Sequence, residues 1–215
     1  MTPTLQTPTL RTQRLELRAY TLEDAPAMQS LLDDPEIADY TLTIPHPLPE
    51  GFAEARIRRD LEREGETSHA WGLFLLETAE KGLPQREGLE QSALVGHPLV
   101  GHLGLSWDPK HKRGGVGYWL ARAARRRGLM TEAVREVVRY GFENLGLHRL
   151  EANHFPRNPA SGRVLEKAGF VREGLLRGAV WKGEKPEDVI QYAILSTDLN
   201  PELGANWSTD ALEAE

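Results

Sequence analysis

Residues 117–132 read Gly117-Tyr118-Trp119-Leu120-Ala121-Arg122-Ala123-Ala124-Arg125-Arg126-Arg127-Gly128-Leu129-Met130-Thr131-Glu132. The first five suit a short strand, and four arginines follow, at 122, 125, 126 and 127. Over 131–145, Val134, Val137, Val138, Phe142 and Leu145 then mark one face of a helix. A strand, a basic glycine-containing turn and a helix in direct succession gather free backbone N–H groups and the positive end of a helix dipole at one point. That point suits a phosphate. Arginine side chains around it add charge-assisted hydrogen bonds, which favours a diphosphate with a sugar phosphate over an isolated carboxylate. Taken alone, the same pattern also describes a solvated basic turn ahead of an ordinary helix. It is neither a P-loop, lacking Gly-Lys-Ser/Thr, nor a dinucleotide fingerprint.

Working outward, 14–18 alternates polar and apolar residues as a half-buried strand does. Thr21 with Asp24 opens a helix that carries Met28, Leu31 and Leu32 and that Pro35 ends. Three prolines between 36 and 49 make a loop, and a charged helix follows over 50–64. The apolar runs 71–77 and 99–107 read as paired antiparallel strands. Between them, 78–98 is far longer than a hairpin loop and reads as a mobile insertion. Residues 147–155 form a strand. Asn158-Pro159 then opens a short helix with Val164, Leu165 and Ala168, closed by Gly169, and 189–195 is a last strand. This order gives an α/β fold with one mixed sheet and a single domain over 11–199. A Thr/Pro-rich leader over 1–10 and an acidic tail over 200–215 are expected to be flexible.

Apolar residues at 40% and charged residues at 27% are the balance of a chain that buries a sizeable core. With no cysteine, neither a disulfide framework nor a catalytic thiol is available. Seven histidines without a His-Glu-x-x-His pair give no metal site, so none is expected. The net charge of −6 opposes nonspecific binding to nucleic acid. No run approaches the roughly 18 apolar residues of a membrane span, and no signal-peptide core opens the chain, so the expected compartment is the cytoplasm.

The residues then gain specificity from their surroundings. Arg125-Arg126-Arg127-Gly128-Leu129-Met130 resembles the Gln/Arg-x-x-Gly-x-Gly/Ala pyrophosphate loop of the GNAT N-acetyltransferase family, here preceded by Gly-Tyr-Trp-Leu and followed by Thr-Glu-Ala. Asn158-Pro159-Ala160-Ser161, Glu166-Lys167-Ala168-Gly169-Phe170 and Glu173-Gly174 are similar to segments of its RimJ/RimL-like branch. The resemblance spans about 11–199. It implies a strongly twisted mixed sheet in which two neighbouring parallel strands, at 117–121 and 150–155, splay apart around the pantetheine arm of acetyl-CoA or another acyl-CoA. It further implies transfer of the acyl group to a primary amine, on a small molecule or a protein N-terminus.

Carried over by position, backbone groups of Trp119, Leu120 and Ala121 pair with the pantetheine amides. Arg125, Arg126, Arg127, Gly128, Leu129, Met130 and Thr131 hold the diphosphate, and Asn158 bonds the pantetheine arm. This chain departs from the family at four places. Arg126 stands where the family usually has Gly, and Met130 where it has Gly or Ala. The tyrosine that commonly protonates the departing thiolate is replaced by Leu165, leaving Ser161 as catalytic acid. The glutamate proposed as general base is replaced by Val180, which leaves Glu36, Asp39, His102, Asp108 and His154 as candidate bases. These losses keep a noncatalytic acyl-CoA-sensing module open as the alternative, and a homodimer is compatible with the resemblance.

Overall fold

A computed structural model describes residues 6–62, 67–76 and 99–199. The expected insertion at 78–98 and the acidic tail lie outside the described residues. One eight-stranded mixed sheet runs in the order β1-β2-β3-β4-β5-β6-β8-β7. Its strands are β1 (Leu10–Arg11), β2 (Leu15–Ala19), β3 (Ser68–Leu75), β4 (Leu99–Asp108), β5 (Arg113–Leu120), β6 (Arg149–His154), β7 (Val171–Lys182) and β8 (Lys185–Leu195). The helices are α1 (Ala25–Leu32), α2 (Pro35–Tyr40), α3 (Phe52–Glu62), α4 (Leu129–Glu143) and α5 (Pro159–Lys167).

Alternation along the strands divides the core in two. On one face Leu15, Leu17, Trp71, Leu73, Leu103, Leu105 and Val116 pack under α4 and α5. On the other, Phe74, Leu99 and Trp119 pack with Tyr20 and with Met28, Leu32 and Ile57 of α1 and α3. Burial of a side chain as large as Leu or Ile stabilises by about 1.5–3 kcal/mol, so these faces fix which residues of β4 and β5 look up and which look down.

Several boundaries differ from the sequence reading. Pro35 closes the α1 region but also opens α2, because Asp34 accepts the Glu36 N–H at 2.9 Å and proline fits the first helical position. Residues 36–40 of the expected loop 36–49 are therefore helical. The long helix starts at Leu129 rather than 131, directly after Gly128. Strand β5 begins at Arg113, and β7, which has no core-facing period, was not legible as a strand of this length. At the end of the expected flexible leader, the Pro8 carbonyl accepts the Trp71 indole N–H at 2.7 Å and Leu10–Arg11 pair with β2.

Candidate active site

Strands β5 and β6 are the parallel pair, and they pair only from Arg113 to Gly115 against Arg149 to Glu151. Beyond Gly115 the two strands part: Val116 to Leu120 on one bank and Ala152 to His154 on the other share no register. Each bank keeps its outer partner, β4 for β5 and β8 for β6. A gap therefore opens in the middle of the sheet with edge-like backbone along it.

Not every residue of β5 offers its backbone to that gap. The Ala121 N–H donates to the Val100 carbonyl at 2.8 Å, and the Ala121 carbonyl accepts from Ala124 N–H at 2.9 Å, so both groups are used within the chain. In an antiparallel pair successive residues alternate the side to which their N–H and C=O point. Trp119, in register with His102, thus turns to β4, while Leu120 and Tyr118 turn to the gap. Of the three expected residues Trp119, Leu120 and Ala121, Leu120 turns its backbone to the gap, as does Tyr118, and the Leu120 carbonyl already accepts from Arg125 Nε at 3.0 Å.

At the top of the gap lies the arginine turn. Arg126 has φ +61° and Gly128 φ +73°, both in the left-handed region. The backbone conformation explains why glycine suits position 126, and here an exposed arginine adopts it. Glu132 N–H donates to Gly128 O at 3.0 Å, so the N–H groups of Leu129, Met130 and Thr131 precede the helical ladder and face outward without a helical acceptor. Arg127 Nε is buried without a hydrogen-bond partner among the described residues. An orphaned guanidinium N–H beside a row of free backbone N–H groups fits an anion of diphosphate size.

The turn is braced from two sides. Glu132 accepts from Thr12 Oγ1 at 2.5 Å, Arg14 N at 2.8 Å and Arg14 Nε at 2.7 Å, and Arg14 also donates to the Arg127 carbonyl at 2.8 Å. Arg125 is tied to the Leu120 carbonyl at 3.0 Å, to Asp34 at 3.3 Å and to Glu36. Its side chain anchors α2 to the turn, whereas Arg126 and Arg127 make no ion pair among the described residues.

At the other bank, Asn158 caps α5, its Oδ1 accepting the Ser161 N–H at 3.2 Å. That leaves the Asn158 amide hydrogens for a ligand carbonyl. Ser161 does not cap its own helix: its hydroxyl lies 2.9 Å from the Tyr118 hydroxyl, which reaches across from β5. Burial pushes the Tyr118 phenol well above its ordinary range, so the group stays protonated. This pairing is not legible along the chain, because the two residues are 43 positions apart.

The five candidate bases do not converge. Glu36 is held by Arg125, and Asp39 by Arg157 at 3.3 Å. Asp108 caps the β4–β5 turn through the Lys110 and His111 N–H groups at 3.0 and 3.2 Å. His154 lies under α5, its Nδ1 2.8 Å from the Phe155 carbonyl. His102 is 6% exposed, stacked between Tyr20 and Trp119, and burial pulls its pKa down to about 3. A ring so weakly basic does not take a proton from an amine near neutral pH. Val180 faces Glu187 across the β7–β8 pair, and that carboxylate is bonded to Arg157 at 2.9 Å.

A family model described as an acetyltransferase (GNAT) domain matches residues 14–171. The chain belongs to this family. As a GNAT protein it is an acyl-CoA-dependent N-acetyltransferase. It is 52% identical over 83 residues to the "Probable N-acetyltransferase YjcK" of Bacillus subtilis (strain 168), a match spanning 39% of this chain and 46% of that protein. It is 30% identical over 190 residues to the uncharacterised N-acetyltransferase YoaA of the same organism, covering 87% of this chain and 97% of YoaA. The [ribosomal protein uS5]-alanine N-acetyltransferase of Escherichia coli (strain K12) is 30% identical over 86 residues, 40% of this chain and 44% of that enzyme. Among solved structures, RimL, a ribosomal L7/L12 alpha-N-protein acetyltransferase in complex with coenzyme A, superposes with a TM-score of 0.69 at 18% identity. That likeness covers 87% of this chain and 98% of RimL, and it confirms the GNAT fold with its mixed sheet. Among the described residues no helix is long and apolar enough to cross a membrane.

Proposed function

We propose that this GNAT protein acetylates the primary amine of a protein N-terminus, with the acyl-CoA arm lying in the gap between β5 and β6. The single observation that carries the reading is the end of β5–β6 pairing at Gly115 and Glu151. Bound there, acetyl-CoA supplies an acetyl thioester. The Leu120 N–H and the backbone of Tyr118 would pair with the pantetheine amides as an added strand would, and the Asn158 amide would meet a pantetheine carbonyl. The free N–H groups of Leu129, Met130 and Thr131, with Gly128 giving the turn its shape, hold the diphosphate, and Arg126 and Arg127 add charge.

The acceptor enters from the face opposite α4. There Gly104, Gly115 and Gly117 form a floor beside the exposed Ser106, and a methyl added at Gly117 meets nothing within 4 Å. A flat, open floor accepts an extended chain end, and the likeness to the uS5-alanine N-acetyltransferase favours a peptide amine over a small molecule. The attacking amine must be neutral, and Ser161 gives a proton to the sulfur as it leaves.

The test combines calorimetry of acetyl-CoA with a panel of peptide N-termini, polyamines and aminoglycosides followed by mass spectrometry. Micromolar acetyl-CoA binding and acetylated peptide α-amines are expected. Acetylation of the small amines alone would replace the acceptor, and binding without turnover on any amine would favour a sensing module.

A further inference from the structure

We propose that Tyr118 is a positioning residue that turns the Ser161 hydroxyl hydrogen toward the sulfur leaving the thioester. The inference rests on the reading above, in which Ser161 donates the proton. Its basis is geometric. The Tyr118 hydroxyl stands 2.9 Å from Ser161 Oγ and 3.2 Å from the Ser161 carbonyl, on the opposite bank of the gap and three residues beyond the last paired residue of β5.

The two hydroxyls share two hydrogens, and only two arrangements are useful. If Ser161 donates to Tyr118, the phenol hydrogen goes to the Ser161 carbonyl, and the serine hydrogen points away from any ligand. If Tyr118 donates to Ser161 Oγ, the serine hydrogen is released and can be aimed elsewhere. An anion arriving near Oγ selects the second arrangement, because a hydrogen bond to a charged acceptor is worth roughly twice a neutral one. The protonated state of the buried phenol keeps that donor available throughout the working pH range. The Ser161 backbone is held by the Asn158 cap, and the Tyr118 contact selects the position of its hydroxyl.

In the step that follows, the amine nitrogen bonds to the acetyl carbon and the carbon–sulfur bond breaks, its electron pair staying on sulfur. The sulfur takes the Ser161 Oγ proton. The Tyr118 hydrogen bond stabilises the oxygen left behind, and the proton shed by the amine nitrogen returns through solvent to restore Ser161. No redox partner is needed.

A structural tie between β5 and α5 would look the same in the unliganded geometry, so the test must read the sulfur. The thiol of bound CoA is titrated by its thiolate absorbance in the native protein, in Ser161→Ala, in Tyr118→Phe and in the double variant. Loss of a hydrogen bond to a charged group should raise the bound thiol's pKa by about one unit, roughly tenfold less thiolate at a given pH. Tyr118→Phe should move it the same way as Ser161→Ala, and the double variant should move it no further than Ser161→Ala alone. Affinity for CoA with its thiol protonated should stay within about twofold, and kcat for acetyl transfer should fall about 10²-fold or more in Ser161→Ala and about tenfold in Tyr118→Phe. A shift in Ser161→Ala with none in Tyr118→Phe overturns the positioning role and leaves Ser161 standing. No shift in Ser161→Ala overturns both. Additive shifts in the double variant also overturn the inference, because Tyr118 would then act without Ser161.

Discussion

The two ends of the β5–β6 seam are built by different means. At the closed end the strands are joined by backbone pairing from 113 to 115, and Arg149 locks the base through Glu151 at 2.6 Å and Glu173 at 2.5 Å. At the open end the two strands share no backbone pairing, and the Tyr118 hydroxyl reaches across to the Ser161 hydroxyl and carbonyl. The closed end is packed to contact: a methyl at Gly114 would meet the Ser106 carbonyl and a Leu150 methyl, both at 2.9 Å. The open end has room, as at Gly117. The lesson is that β5 spends its first half on stability and its second on leaving backbone and space unfilled.

Four changes break or sharpen that contrast. The largest effect belongs to the open end. Ser161→Ala should lower kcat by about 10²–10⁴ while acetyl-CoA affinity holds, and its melting temperature should scarcely move, since Asn158 and not Ser161 caps α5. Steady-state kinetics with calorimetry check this, and full turnover would leave solvent as the proton donor. The second effect belongs to the closed end. Gly114→Ala forces its methyl against backbone and should cost about 1–3 kcal/mol, whereas Gly117→Ala should cost less than about 1 kcal/mol. Urea denaturation of the two variants measures the difference, and equal losses would remove the contrast.

The third concerns the turn above the gap. Arg127→Glu should weaken CoA binding about tenfold or more, with dephospho-CoA affected as well, because it reverses a charge in the turn proposed to hold the diphosphate, where the Arg127 Nε has no hydrogen-bond partner among the described residues. Arg125→Glu should also loosen α2 by repelling Asp34 and Glu36, so its melting temperature falls while that of Arg127→Glu holds. An Arg127→Glu protein with native CoA affinity would reassign the loop.

The fourth effect, spread over several pH units, is on stability with pH. His102 has its folded-state pKa depressed to about 3, below the ordinary 6.5 of the unfolded chain. Between those values the unfolded state binds the extra proton, so stability rises with pH there and is lost as pH falls below about 6.5. The slope from this one group is at most about 1.4 kcal/mol per pH unit. His102→Gln should flatten the curve of unfolding free energy in that window, and an unchanged slope would mean that the ring is solvated.

Much of this was legible along the chain. The α4 face, the Asn158-Pro159 start of α5, the antiparallel β3–β4 pair and the arginine turn all follow from local periodicity and capping, because each is decided by residues within a few positions of one another. So did the family, through motifs that are local as well. Strand β7 was not legible, because it is exposed on both faces and forms by pairing with β8 rather than by burying a period. Helix α2 was hidden by reading Pro35 only as a stop.

What only the tertiary structure decided is which groups are already spent. Arg125 reads as a phosphate ligand in the sequence, yet it meets Asp34 and Glu36 some ninety positions away. Ala121 reads as a pantetheine contact, yet Val100 takes its N–H. Ser161 reads as acid or cap, and the partner that separates those roles, Tyr118, comes from another strand. A sequence fixes residue types and local geometry. Whether a donor is free, and which atom faces it, is settled by contacts across the fold, since one hydrogen bond made elsewhere removes that group from the chemistry.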